Sequence, residues 1–298
     1  MIDIFNKMYE LVADAPKPVD ENYYYLEETN RYHLMLEQEL PEKDYQMFFE
    51  QNPAFMPGSR EVIGAASSHW PIANALISQP TISDDDRIRR PDFMWIAKNS
   101  LCLCPVLIEI EKPSKKEFRS DSDVSRAQFN QALMQIKQWK AILNSQEGKH
   151  DFYERFGIDE KWRQLKFTPQ YVLVYGRRNE FEGHEWLTKI RAEEEMSDVR
   201  VMSFDRLDTP DRNAFDCITC KVKDGHFKVI NIPPTFVYRP ATISAIGGYG
   251  MFDDFILSIR NMRYVSDERK QFLSERLNYW NELADTIHTG RIDTFDCE

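Results

Sequence analysis

Hydrophobic and polar positions along the chain change period several times, and each change marks an element. Tyr45, Phe48 and Phe49 recur at helical spacing behind Pro41 and an acidic first turn, Glu42 and Asp44, and Asn52-Pro53 stops the run. Residues 41–51 are therefore predicted as a helix. A polar connection through Pro57-Gly58-Ser59 and a loop at Ser83-Asp84-Asp85-Asp86-Arg87 follow. Two apolar runs, residues 93–97 and 101–110, are joined by Lys98-Asn99-Ser100, a polar link of hairpin length, and read as paired strands. Phe129, Leu133, Ile136, Trp139 and Leu143 then return to helical spacing over residues 125–143, with Gln128, Gln131, Gln135 and Gln138 between them.

The buried-strand pattern of Tyr171-Val172-Leu173-Val174-Tyr175 ends at Gly176. A helical stretch over 185–196 and a strand over 199–205 come next, and this strand–helix–strand order belongs to an α/β core. The ends of the chain differ in character. Residues 1–38 hold an amphipathic stretch from Ile2 to Ala13, two prolines, and two tyrosine-rich runs, 23–26 and 32–36. These runs are full of strand formers and predict an added hairpin or arm. Residues 209–298 hold a possible strand at 227–230, a bend at Pro233-Pro234, a flexible loop at 246–250 and a long amphipathic helix over 268–288. That helix's apolar stripe suits either its own core or a subunit contact. The expected organisation is an N-terminal extension (1–38), an α/β core (39–208) and a C-terminal extension (209–298).

Composition narrows the class. The chain has 298 residues, 42% hydrophobic and 29% charged, as in ordinary globular proteins. No apolar run reaches membrane length and the N-terminus has no signal-peptide pattern, so a cytoplasmic location and no membrane partner are expected. The five cysteines include a lone Cys217-Ile218-Thr219-Cys220, without the second ligand pair a zinc site needs, and packed thiols in a strand are expected there. The six histidines are scattered. No nucleophile elbow or phosphate-cradling glycine loop is present. A net charge of −11 argues against a general nucleic-acid coat. Residues 87–140 run the other way, with eleven basic residues against six acidic ones, a net of +5.

Within that basic stretch lies the densest chemistry. Asp92 opens the first strand of the hairpin, and Glu109 and Glu111 close the second. Strand side chains alternate, so the two glutamates share a face. Carboxylates crowded there repel one another unless a cation separates them, and a hard divalent ion such as Mg²⁺ suits an all-oxygen set. Asp92 and Glu109, with the Ile110 carbonyl, are candidate ligands. Glu111 is a further ligand or orients a water. Lys112 points to the opposite face unless the strand ends at Pro113. A half-exposed strand carrying two glutamates would show the same pattern without any metal.

Pro91-Asp92 followed by Glu109-Ile110-Glu111-Lys112 resembles the PD-(D/E)XK nuclease superfamily. Taken with the helix of Glu42, Gln46 and Phe49, Arg90-Pro91-Asp92-Phe93, the Gln131/Gln135/Trp139 helix, the strand to Gly176-Arg177 and Phe204-Asp205-Arg206-Leu207, the chain resembles the Shedu (DUF4263) family of anti-phage defence nucleases over roughly 42–207. The resemblance implies a restriction-endonuclease-like core, with a mixed central sheet flanked by helices. It implies a Mg²⁺-dependent (or Mn²⁺-dependent) DNA endonuclease and a homo-oligomer, a tetramer. Asp92 and Glu109 would bind the metal, Glu42 would be a helper acid for the metal or its water, and Gln135 would orient the water or a ligand. The family's usual lysine falls on Glu111, and either Glu111 serves in its place or Lys112 reaches around.

Three functions compete. In the first, a metal-dependent endonuclease, the basic flank of Arg89, Arg90, Lys115, Lys116 and Arg119 holds DNA phosphates. The second is a non-cleaving nucleic-acid binder or sensor on a nuclease fold, suggested by Glu111 at the lysine position. The third is an interaction component in which the acidic cluster is surface.

Overall fold

A computed structural model describes residues 9–38, 40–60, 62, 71–119, 122–193, 196–223, 226–239, 252–287 and 298. The early part of the amphipathic stretch (2–8) and the loop at 246–250 lie outside these.

The strands are β1 (Ala75–Ser78), β2 (Ile82–Ser83), β3 (Ile88–Arg89), β4 (Phe93–Lys98), β5 (Cys102–Ile110), β6 (Phe118–Arg119), β7 (Ser122–Ser125), β8 (Lys166–Phe167), β9 (Gln170–Val174), β10 (Val199–Met202), β11 (Ile218–Lys223) and β12 (His226–Asn231). Eight form one mixed sheet in the order β10-β9-β5-β4-β1-β11-β12, with β8 also paired to β5. Pairs β5/β9, β9/β10 and β1/β11 are parallel, while β4 runs antiparallel to both β1 and β5. The remaining strands form two small hairpins, β2/β3 and β6/β7. Two strands from beyond residue 208 thus lie in the same sheet as the hairpin that carries the acids.

Helices cover both faces. They are α1 (Glu21–Leu36), α2 (Glu42–Gln51), α3 (Ala127–Asn144), α4 (Gln146–Arg155), α5 (Glu160–Arg163), α6 (Glu185–Glu193), α7 (Phe252–Arg260) and α8 (Asp267–Ile287). Strand alternation divides the core in two. Met94, Ile96, Leu103, Leu107, Tyr171 and Leu173 pack with Phe129, Ile136 and Trp139 of α3, Phe152 of α4, and Leu273, Leu277 and Trp280 of α8. Phe93, Trp95, Val106, Ile108, Ile110, Val172 and Val174 pack on the other side, with Tyr24 and Tyr32 of α1 and Tyr45, Phe48 and Phe49 of α2. The stripe of α8 packs into the protein's own core, against α7, which lies on β12. Cys217 and Cys220 are buried thiols, as the sequence led us to expect, and Cys217 Sγ donates to Asn74 Oδ1 at 3.0 Å.

The N-terminal extension corrects the sequence reading. The tyrosine-rich runs form one helix, α1, rather than a hairpin. Asp20 caps it by accepting from the amides of Asn22 and Tyr23. Tyr24, Glu28, Tyr32 and Leu36, four residues apart, are its buried stripe. The Tyr32 ring stacks on Phe48 at 5.2 Å, and its hydroxyl donates to the Phe204 carbonyl at 2.8 Å. Strand propensity is a weak preference, and packing on this stripe outweighs it. Tyr32→Ala should therefore cost about 3–5 kcal/mol in urea unfolding. A loss below ~1 kcal/mol would show that α1 is an appendage after all.

Candidate active site

The hairpin register builds the site. Phe93 pairs with Ile108, and the β4/β5 ladder runs from there to Lys98 and Leu103. Asp92, one residue before β4, therefore lies beside the last residues of β5. Its carboxylate accepts from the Ile110 amide at 2.8 Å, and its own carbonyl accepts from Gln79 N at 2.7 Å. Glu111 N donates to the Val174 carbonyl at 2.9 Å, so β5 stays in the sheet one residue beyond its regular end. Backbone groups alternate along a strand. The Ile110 amide, and the carbonyl of the same residue, accordingly face the Asp92 side.

Glu109 shares the face of Leu107, over α3, and its carboxyl is hydrogen-bonded to Asp92. Burial raises both carboxyls above the ordinary range. For Glu109 the negative charges of Asp92, Glu111 and Glu42 add to that; for Asp92 those of Glu42 and Glu111 do, opposed by the Ile110 amide. Both carboxyls are raised and they are bonded to each other, so the pair shares a proton in the metal-free protein. Glu42, at the first turn of α2, is raised by burial and then by Glu111, with Lys115 and Lys112 acting against this. Gln46 and Glu50, one and two turns on from Glu42, bond the Ser78 hydroxyl on β1 at 3.3 and 2.5 Å. Those bonds fix the helix that carries Glu42 to the sheet.

Among the described residues, no three His, Cys, Asp or Glu side chains stand as a ready metal-holding group. Asp92 and Glu109 form the central pair, while Glu111 is turned onto the Lys115 ammonium. The donors nonetheless fit a hard divalent cation. They are anionic, all-oxygen and partly desolvated, and the proton they share occupies charge that a cation would neutralise.

The other expected residues are dispersed. Lys112 lies two residues past the end of β5, and its charge, like that of Lys115, acts on Glu42. Gln135 is half-buried on α3 and is not hydrogen-bonded to any of the four carboxylates. Its neighbour one turn on, Gln138, accepts instead from Arg89 Nε at 2.7 Å, just ahead of Asp92. Arg90, Lys116 and Arg119 are exposed, whereas Arg89 and Lys115 already have partners in the fold. Sequence reasoning missed Gln138 and the contact of Lys115 with Glu111. The only signal for that contact was the spacing of four across Pro113-Ser114.

With this geometry in place, the comparison with protein families is decisive. The C-terminal family model of the Shedu protein SduA matches residues 39–207. The chain belongs to the Shedu family. Membership supports a role in Shedu anti-phage defence, and the mixed sheet flanked by helices agrees with the α/β core expected from the sequence. No curated protein matches the chain. Among the described residues no helix is long and apolar enough to cross a membrane. In this Shedu chain the matched segment holds all four carboxylates of the site.

The raised carboxyls carry a stability consequence. A carboxyl whose folded value lies above its unfolded one binds its proton more tightly in the native state. The native state then loses stability as pH rises from the unfolded range, near roughly 4, to the folded value. Glu109→Gln removes that loss. Metal-free Glu109→Gln should melt higher than wild type at pH 7.5, by roughly 2–4 °C for each ~1 kcal/mol regained. The gain should shrink toward pH 4.5. Equal melting temperatures across that range would mean that Glu109 is not held protonated.

Proposed function

We propose that this Shedu chain is a metal-dependent DNA endonuclease that hydrolyses phosphodiester bonds of phage or plasmid DNA. It would act in the cytoplasm as a homo-oligomer, a tetramer. The observation that carries the reading is the Asp92–Glu109 pair, pinned by the β4/β5 register with the Ile110 carbonyl on the same edge. Mg²⁺ or Mn²⁺ would be held by Asp92, Glu109 and the Ile110 carbonyl, with Glu42 supporting from α2. The ion would supply charge neutralisation at the scissile phosphate and a water of lowered pKa.

The chain's own residues do the rest. The Ile110 amide holds Asp92 in one orientation, so the carboxylate need not be ordered when substrate binds. Glu42 and Glu111 add negative charge around the pair and so favour an occupied site over an empty one. Arg90, Lys116 and Arg119 are exposed and free to meet phosphates, which offsets the repulsion expected from the chain's net charge. Lys112, like Lys115, offsets the charge of Glu42.

The test is cleavage of plasmid and linear DNA in Mg²⁺, Mn²⁺ or EDTA. Wild type should cut with either metal and not in EDTA. Asp92→Ala and Glu109→Ala should each lose roughly 100-fold or more. DNA left intact by wild type under all these conditions removes the nuclease reading. The Glu111 carboxylate at the position of the usual lysine favours one alternative, a non-cleaving binder. Its mark would be DNA binding that EDTA and Asp92→Ala leave unchanged.

A further inference from the structure

Four carboxylates gather at this end of the sheet, and among the described residues only Glu111 of the four carries an ion pair. Its partner, Lys115, is placed by several independent contacts. The chain turns at Pro113-Ser114, and the Lys115 amide donates back to the Lys112 carbonyl at 3.1 Å. Gly176 lies against the Lys115 carbonyl. It adopts φ +61°, and a Cβ there would come within 2.7 Å of that oxygen, so the turn packs at a position where only glycine fits. The ring of Tyr175 lies below the ammonium, 6.0 Å from centroid to Nζ, and Phe129 of α3 meets the same ring edge-on at 5.1 Å. Lys115 also lines a cleft of about 290 Å³ with Tyr45, Pro113, Lys116 and Arg177, and its side chain is partly exposed beside Glu111.

We propose that Lys115 is the resident cation of this site. It holds Glu111 out of the metal's ligand set and keeps an ammonium at the edge of the carboxylate cluster, where a substrate phosphate would arrive. Glu111 shares the face of Glu109 and would otherwise be a third carboxylate ligand. Paired with Lys115, it fixes the lysine instead. The ion pair of Glu111 is with Lys115, although Lys112 is its neighbour in the chain. The inference rests on the nuclease reading for the substrate but not for the Glu111–Lys115 pair.

Two readouts on Lys115→Ala separate these. Isothermal titration with Mn²⁺ alone reads the hold on Glu111. Removing the ammonium takes away a nearby positive charge and frees a carboxylate, so Mn²⁺ should bind about three- to tenfold tighter. Plasmid cleavage reads the cation, and it should fall at least ~30-fold although the metal binds better. Damage to the fold would weaken both, so opposite signs mark the proposed role. The double variant Glu111→Lys with Lys115→Ala restores an ammonium to the same place and should regain cleavage to within about threefold of wild type. Mn²⁺ affinity that is unchanged or weaker in Lys115→Ala overturns the proposal, as does undiminished cleavage. If wild type cuts no DNA but Lys115→Ala still tightens Mn²⁺ binding, the nuclease reading falls and the hold on Glu111 stands.

Discussion

Everything at the site depends on the register between β4 and β5. Phe93 opposite Ile108 brings Asp92 to the Ile110 amide and sets Glu109 beside it. Two carboxyls in that position repel each other and are partly stripped of water. The metal-free protein relieves this by keeping a proton between them. A slip of one residue would turn Glu109 to the face of Phe48 and Phe49 and bury a charge among aromatic rings. The packed cores on both faces rule out that slip, and the strain between the acids is therefore borne locally.

The two layers of helices contribute differently. On one face α2 carries Glu42 and is tied to β1 through Gln46, Glu50 and Ser78, while α1 closes over it with Tyr32. The N-terminal extension thus supports the helix that brings an acid to the site. On the other face α3 supplies Phe129 beneath Tyr175 and Gln138 to hold Arg89. The cations expected to hold phosphates fall into two groups. Arg89 and Lys115 are committed to partners within the fold, whereas Arg90, Lys116 and Arg119 are exposed.

Much of this was legible in the sequence. The strong periods of α2, α3 and α8, the β4/β5 hairpin and the β9–α6–β10 unit all match elements of the structure, with ends shifted by a few residues. Strong, long periods survive tertiary packing because they reflect it. The tyrosine-rich N-terminus was misread because tyrosine favours strands on average, and the spacing of four from Tyr24 to Leu36 decided otherwise. Strand β1 carries too short a pattern to stand out, and it was found only as a partner in the sheet, paired with β11, the strand expected at the Cys217 and Cys220 thiols.

The sequence by itself determined which acids could meet. Alternation along β5 puts Glu109 and Glu111 on one face, and the short link at 98–100 brings Asp92 alongside. The tertiary structure decided which of them remain together. A turn, a glycine without a Cβ and an aromatic ring place Lys115 on Glu111, so this acid carries an ion pair while Asp92 and Glu109 are bonded to each other. Local spacing fixes the direction of a side chain, but its partner depends on what the rest of the fold brings within reach.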